Sequence, residues 1–234
     1  MAERLDKILA NAMVGSRKEV AKIIRSGRVS VDDMAVTLPD FKVEPKNSKI
    51  YINGKPIGYK EHYHIMLNKP KGVITATEDS KEKTVLDLIS DDYPKSRLFP
   101  AGRLDKDTVG FVLLTTDGTL GHRVTGPKNH VEKVYYVETD KSLSEELIPK
   151  FKDGITLDDG YLCRSARLNI FGKNNCHLTI SEGKFHQVKR MFLAFSITVT
   201  YLKRVKIGGV TLDDTLLSGE YRELSKKEEV LLFE

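Results

Sequence analysis

Phe99-Pro100-Ala101-Gly102-Arg103-Leu104-Asp105-Lys106-Asp107-Thr108-Val109-Gly110, running on into Phe111-Val112-Leu113-Leu114-Thr115 and the turn Thr116-Asp117-Gly118, is the stretch whose reading decides the fold. Pro100 and Gly102 force a loop immediately ahead of Asp105. The apolar run that follows is short, which reads as a buried strand. The same kind of short β-branched or aromatic run recurs at 64–67, 72–75, 134–138, 176–180, 197–202 and 204–207. Helical patterns are fewer, chiefly at 84–89, 144–151 and 184–195. Strands that outnumber helices without a βαβ rhythm predict an α+β body on a mainly antiparallel mixed sheet with flanking helices.

Upstream the pattern changes. From Pro39 to Pro56 the chain is polar, with turn signals at Pro45, Asn47-Ser48 and Asn53-Gly54, and Ile50-Tyr51-Ile52 before Asn53-Gly54 reads as a hairpin. A boundary near residue 60 follows, giving domains at 1–60 and 61–234. In the first of these, Ser16-Arg17-Lys18-Glu19 is a capping box that starts a helix ending near Ser26, with Gly27 as its stop. At about 100° per residue, Lys18, Lys22 and Arg25 share a narrow arc of that helix, and Val20, Ala21, Ile23 and Ile24 are assigned to the other side. Arg28-Val29-Ser30-Val31 then reads as a short strand.

Residues 1–60 hold 12 Lys/Arg against 7 Asp/Glu, whereas 61–234 hold 26 of each, so the whole net charge of +5 lies in the first quarter. That asymmetry fits a polyanion-binding module joined to a neutral body, although so small an excess is also compatible with an ordinary solvated surface. No apolar run approaches the roughly 20 residues of a membrane span. The N-terminus lacks the features of a signal peptide, and Cys163 and Cys176 have no CxxC spacing. A cytoplasmic setting with reduced, buried thiols is expected. Walker A, GxGxxG and GxSxG patterns are absent, so neither a nucleotide cofactor nor serine acyl transfer is expected. His62 and His64 beside Glu61 read as strand residues rather than as metal ligands, and no metal site is expected.

Three segments remain for chemistry. Asp105 lies on a loop against a buried strand, a common place for catalysis. From spacing alone, a capping or turn role for Asp105 or Asp107 is the better reading, and a divalent-metal pair of the two is weakly signalled. The strand His130-Val131-Glu132-Lys133-Val134-Tyr135-Tyr136-Val137 puts Lys133, Tyr135 and Val137 on one face, where an aromatic serves either a core or a base. In Ser181-Glu182-Gly183-Lys184-Phe185-His186-Gln187-Val188-Lys189-Arg190-Met191-Phe192, helical spacing groups Phe185, Val188, Phe192 and Phe195 as an anchoring side. Lys189 and Arg190 then emerge on other faces, able to pair with a carboxylate or phosphate.

Together these segments resemble the pseudouridine synthases, in particular the branch acting on small-subunit (16S) ribosomal RNA. The resemblance runs from Arg4 to about Gly209 and rests on Leu67-Asn68-Lys69-Pro70-Lys71-Gly72, Gly102-Arg103-Leu104-Asp105, Lys133-Val134-Tyr135, and Glu182-Gly183 through Met191. Ahead of them, Arg4 through Val31 is similar to the S4 domain, a small α/β fold that grips structured RNA. Where the S4 family usually has a Val-Asn-Gly turn, this chain has Val31-Asp32-Asp33-Met34. After Thr108 it has Val109-Gly110-Phe111 rather than Glu-Gly-Leu, a departure that points away from the large-subunit enzymes.

The resemblance implies an isomerase acting on ribosomal RNA without a cofactor, because the reaction breaks N1–C1′, rotates uracil and rejoins it through C5 with nothing oxidised or released. It implies Asp105 as nucleophile, Lys189 as the cation beside it, and Tyr135 stacking on the target base. It further implies Leu202 packing on the base and Arg103 filling the space that the uridine vacates, with Arg190, Lys133 and Gln187 as further substrate contacts. Arg4, Arg17, Lys18, Lys22, Arg25 and Arg28 become the RNA-binding cations of the S4 module. The partner implied is ribosomal RNA, presented as a small-subunit assembly intermediate to a monomeric enzyme. The competing readings are a large-subunit enzyme, a non-catalytic S4-type assembly factor, and a metal-dependent nuclease or glycosyl transferase using Asp105 and Asp107.

Overall fold

The computed structural model describes residues 2–126 and 128–234. It divides into two compact units, Met1–His62 with Asp91–Ser96, and Tyr63–Ser90 with Arg97–Glu234.

In the first unit, β1 (Glu3–Arg4) leads into α1 (Leu5–Asn11) and α2 (Arg17–Arg25), followed by β2 (Val29–Val31), β3 (Met34–Val36), β4 (Lys42–Val43), β5 (Ile50–Ile52) and β6 (Lys55–Ile57). The Ser16 hydroxyl accepts from the Glu19 amide while Glu19 reaches back to Ser16 N, so α2 starts at the capping box. It stops at Ser26, with Gly27 at φ +73°. Leu5, Ile8, Leu9, Val20 and Ile24 pack with Val29, Val31 and Ile50 to form the core. The strands pair β3-β2-β5-β6, and both hairpins close through two residues in the left-handed region. Asn53-Gly54 (φ +51° and +76°) joins β5 to β6. Asp32-Asp33 (φ +48° and +66°) joins β2 to β3, so this chain makes with two aspartates a turn that ordinarily uses Asn-Gly. Asp32 is fixed there because its Oδ1 accepts from the Lys49 amide at 2.8 Å.

The second unit contains β7 (His64–Lys69), β8 (Phe99–Pro100), β9 (Val109–Thr115), α3 (Gly118–Thr125), β10 (Lys133–Thr139), α4 (Leu147–Asp153), β11 (Arg167–Ile170), β12 (Asn175–Ile180), α5 (Gln187–Leu193), β13 (Val199–Ile207), β14 (Val210–Thr211), β15 (Tyr221–Glu223) and α6 (Lys226–Leu231). Its strands form one nine-stranded sheet ordered β11-β12-β10-β13-β9-β7-β15, with β14 on β13 and β8 on β9. Every pairing is antiparallel except β9 with β13, which run parallel. β7 is buried along its whole length, and β9 nearly so, as befits central strands. Gly110 makes the parallel seam possible, because a Cβ there would lie 2.4 Å from the Arg204 carbonyl oxygen. Met66, Phe111, Leu113, Leu120, Val124, Ile207 and Leu232 form the core beside this seam.

Four expectations need correction. The run 72–75 forms no strand; only Ile74 bridges to Thr84. The runs 197–202 and 204–207 merge into one strand, β13, which starts only at Val199 and is continuous because Lys203 keeps its ladder pairing. Thr116-Asp117-Gly118 is the start of α3 rather than a plain turn, with Asp117 Oδ1 accepting from the Thr119 and Leu120 amides. Phe185 lies outside α5 and is 75% exposed, so it does not join Val188 and Phe192 as an anchor.

Candidate active site

The loop that carries Asp105 is pinned from below. Gly102 takes φ +92°, a conformation that favours glycine, and turns the chain after β8. The buried Thr75 hydroxyl donates to the Leu104 carbonyl at 2.8 Å and accepts from the Leu104 amide at 3.1 Å. Gly72 N donates to Lys106 O at 2.8 Å. Lys69, fully buried at the end of β7, extends its ammonium to the carbonyls of Thr108 (2.7 Å), Pro70 (3.1 Å) and Lys106 (3.4 Å). Burial lowers the Lys69 pKa to about 8, against the pull of Asp107 and Asp105, which favours the charged form. The 72–75 run is therefore the wall that holds the Asp105 loop.

α5 supplies the counter-charge. Lys189 Nζ lies 2.6 Å from Asp107 Oδ1 and 3.3 Å from Asp105 Oδ2, bridging the two carboxylates. Burial pushes Asp107 up, but the hydrogen bond and charge of Lys189 leave its carboxyl below the usual range. His186, in the left-handed region at φ +50°, places Nε2 3.5 Å from Asp105 Oδ1. The sequence alone gave no reason to select His186, since contact with Asp105 spans 81 positions of chain. Lys69 was visible only as part of a family motif, because nothing in a strand pattern marks a lysine for burial.

Tyr135 and Leu202 enter from the sheet. Both are buried, on β10 and β13, where Tyr135 pairs with Arg204 and Val137 pairs with Leu202. Arg204 in turn pairs with Gly110 on β9, so the row Tyr135–Arg204–Gly110 leads across the sheet to the strand that follows the Asp105 loop. Arg204 Nε donates to the Phe111 carbonyl at 2.7 Å, while its buried Nη2 has no hydrogen-bond partner among the described residues. Arg103 is exposed on the loop beside Asp105.

Three residues suggested as substrate contacts have partners within the chain. Lys133 Nζ donates to the carbonyls of Val131 (2.7 Å) and Val124 (3.0 Å), closing the end of α3, and burial lowers its pKa to about 8. Gln187 is buried and braces its own loop, donating to Glu182 Oε1 and accepting from Lys184 N, both at 2.8 Å. Arg190 is clamped by Asp158 and Asp159, with 2.8 Å from Nη2 to Asp159 Oδ2. These three side chains therefore have hydrogen-bond or ion-pair partners within the chain.

In the first unit, Arg4, Asp6, Arg17, Lys18, Ala21, Lys22 and Arg25 line an open concavity. Ala21 thus belongs to the basic side, not the core side: its helical angle falls next to Lys18. Asp6 is nearly buried and pairs with both Arg4 (3.0 Å) and Arg17 (3.3 Å), and these contacts hold its carboxyl below the usual range. Lys18, Lys22 and Arg25 are exposed along the concavity, whereas Arg28 lies outside it with Nε donating to Ser26 Oγ.

Residues 62–194 match the family model for RNA pseudouridylate synthase, and residues 3–48 match that for the S4 domain. An uncharacterised RNA pseudouridine synthase of Bacillus subtilis is 45% identical, over 99% of this chain and 98% of the relative. A ribosomal small subunit pseudouridine synthase A of Escherichia coli is 40% identical, over 96% and 97%. A crystal structure of a pseudouridylate synthase superposes with a TM-score of 0.70 at 37% identity, over 98% of this chain and 99% of that one. The chain belongs to the RNA pseudouridine synthase family, isomerases that act on RNA, with an S4 domain ahead of the catalytic region.

Proposed function

We propose that this protein converts one uridine of small-subunit ribosomal RNA to pseudouridine, with Asp105 as the nucleophile. The observation that carries the reading is the ammonium of Lys189, 3.3 Å from Asp105 on a loop pinned by Lys69 and Thr75. A carboxylate held rigidly beside a fixed cation is oriented for attack on the ribose. Asp105 either bonds to C1′ as the N1–C1′ bond breaks or removes the C2′ proton and later returns it; it is regenerated when C5 bonds to C1′, the C5 proton leaving to solvent and N1 gaining one. Tyr135 stacks on the uracil, Leu202 packs against it, and the exposed Arg103 takes the place in the RNA that the flipped uridine leaves. Unstacking the uridine costs a few kcal/mol, which contacts to the flanking RNA offset.

Residues 1–60 act as the RNA-binding module and 61–234 as the catalytic domain. Lys18, Lys22 and Arg25, with Arg4 and Arg17 around Asp6 and with Arg28, meet the phosphates. Such contacts position the RNA without reading much sequence. The choice of small-subunit RNA is supported by relatives named for that activity at about 40% identity over nearly their full length. The enzyme works as a monomer in the cytoplasm on an assembly intermediate of the small subunit.

The test is carbodiimide labelling with primer extension on unmodified small-subunit rRNA, free and as partial ribonucleoprotein, with wild type and Asp105→Asn in parallel. A single new stop that only the wild type produces supports the assignment. No stop on any substrate, with RNA binding intact in both proteins, would leave the chain a binding factor and sink the proposal.

A further inference from the structure

Phe185 exposes 75% of its surface, the most of any large apolar side chain among the described residues. Its ring lies flat on the imidazole of His186, with centroids 3.8 Å apart and planes 19° from parallel. The same imidazole reaches the proposed nucleophile through its Nε2, 3.5 Å from Asp105 Oδ1. A two-ring column therefore begins at the proposed catalytic carboxylate and ends in a ring face open to solvent.

An isolated exposed apolar residue is ordinary. This one stands on a turn held in an uncommon conformation, with His186 at φ +50°. The surroundings fix that turn. Lys184 N donates to Gln187 Oε1 at 2.8 Å, Gln187 N donates to Lys184 O at 3.1 Å, and Arg190 Nη1 donates to the Phe185 carbonyl at 3.4 Å. Gln187 is anchored in turn on the buried Glu182. Phe185 itself is not buried by this bracing, which presents a flat aromatic face at the rim of the site. Lys184, the residue before Phe185, lies 4.3 Å over the Tyr161 ring, so a cation borders the same turn.

We propose that the Phe185–His186 pair is a stacking platform for the nucleobase of a nucleotide adjoining the uridine that is isomerised. The inference rests on the function proposed above. When a uridine leaves its stack, its neighbour loses a stacking partner, and unstacked RNA bases are received on aromatic side chains. A platform in contact with the nucleophile, through His186, holds that neighbour at a fixed distance from Asp105. Stacking is tolerant of base identity, so the platform contributes position and affinity rather than sequence choice.

The experiment uses small-subunit rRNA transcripts labelled with [5-³H]uridine, reading tritium release by wild type, Phe185→Ala, Phe185→Leu and Phe185→Trp. Binding of the same RNA is read in the Asp105→Asn background with and without Phe185→Ala. Phe185→Ala is expected to lower kcat/KM by about 5- to 150-fold through KM and affinity, as one lost base stack does. Tryptophan is expected to restore activity and leucine is not. Replacing the nucleotides on either side of the modified uridine by abasic sites, one at a time, is expected to abolish the wild-type advantage at one of them. Unchanged kcat/KM in Phe185→Ala, or rescue by leucine equal to that by tryptophan, overturns the platform while leaving the isomerase reading in place. An inactive wild type overturns both. The exposure of Phe185 makes a folding defect readable, as a lowered melting temperature that none of these variants is expected to show.

Discussion

Lys189→Met removes the cation that bridges Asp105 and Asp107 while keeping a side chain of similar length. At 3.3 Å, unit charges in surroundings with an effective dielectric constant of about 20 interact by roughly 5 kcal/mol. The two side chains are 25% and 28% exposed, so water replaces part of the lost ammonium, and about 2–3 kcal/mol of the stabilisation is expected to disappear. That corresponds to a fall of about 30- to 150-fold in kcat/KM. Lys189→Arg is expected to stay within about tenfold of wild type, because a guanidinium reaches two carboxylates at once. Single-turnover pseudouridine formation at saturating enzyme separates this chemical effect from binding, and RNA affinity is expected to be nearly unchanged. A Lys189→Met protein that reacts within about threefold of the wild-type rate would refute the reasoning, since the nearest cation would then matter neither to charge nor to position.

Gly110→Ala drives a Cβ to 2.4 Å from the Arg204 carbonyl at φ +97°, prising β9 from β13. A loss of about 3 kcal/mol or more is expected, seen as a melting temperature lower by roughly 6 °C or more; a shift under about 2 °C contradicts it. Lys69 ionises near 8 in the folded protein against 10.5 for an ordinary lysine, so folding disfavours its charged form. The unfolded chain then holds more protons between about pH 8 and 10.5, and this group makes stability rise with pH across that window. Denaturant titrations should show a steeper slope in wild type than in Lys69→Met, which keeps the same-signed contribution of Lys133. Replacing Lys18, Lys22 and Arg25 together by glutamine is expected to flatten the dependence of log affinity on log salt by about 2–3, measured by filter binding to rRNA at several salt concentrations. An unchanged slope removes this face from the RNA interface. Asp33→Gly relieves a non-glycine residue at φ +66° and is expected to raise stability by about 0.5–1 kcal/mol, read by thermal melting.

What the sequence determined by itself was whatever a few neighbouring residues decide. The Ser16–Glu19 box started α2, Gly27 ended it, Asn53-Gly54 closed a hairpin, and Pro100 with Gly102 placed Asp105 on a loop, because capping and turn geometry act within a handful of positions. Alternating and apolar runs likewise marked β7, β9, β10 and β12, since burial imposes its period locally. Tertiary structure alone decided which of the marked residues meet. Lys189 reaches back 84 positions to Asp105, and Lys69 reaches forward 39 to Thr108. The seam at Gly110 and Arg204 joins strands that no short-range pattern links. It also decided that Lys133, Gln187 and Arg190 meet carbonyls and carboxylates of the chain itself, and that Phe185 faces water beside His186. A polar side chain carries the same donors whether it serves the fold or a substrate, and only the position of its partners in space tells the two apart.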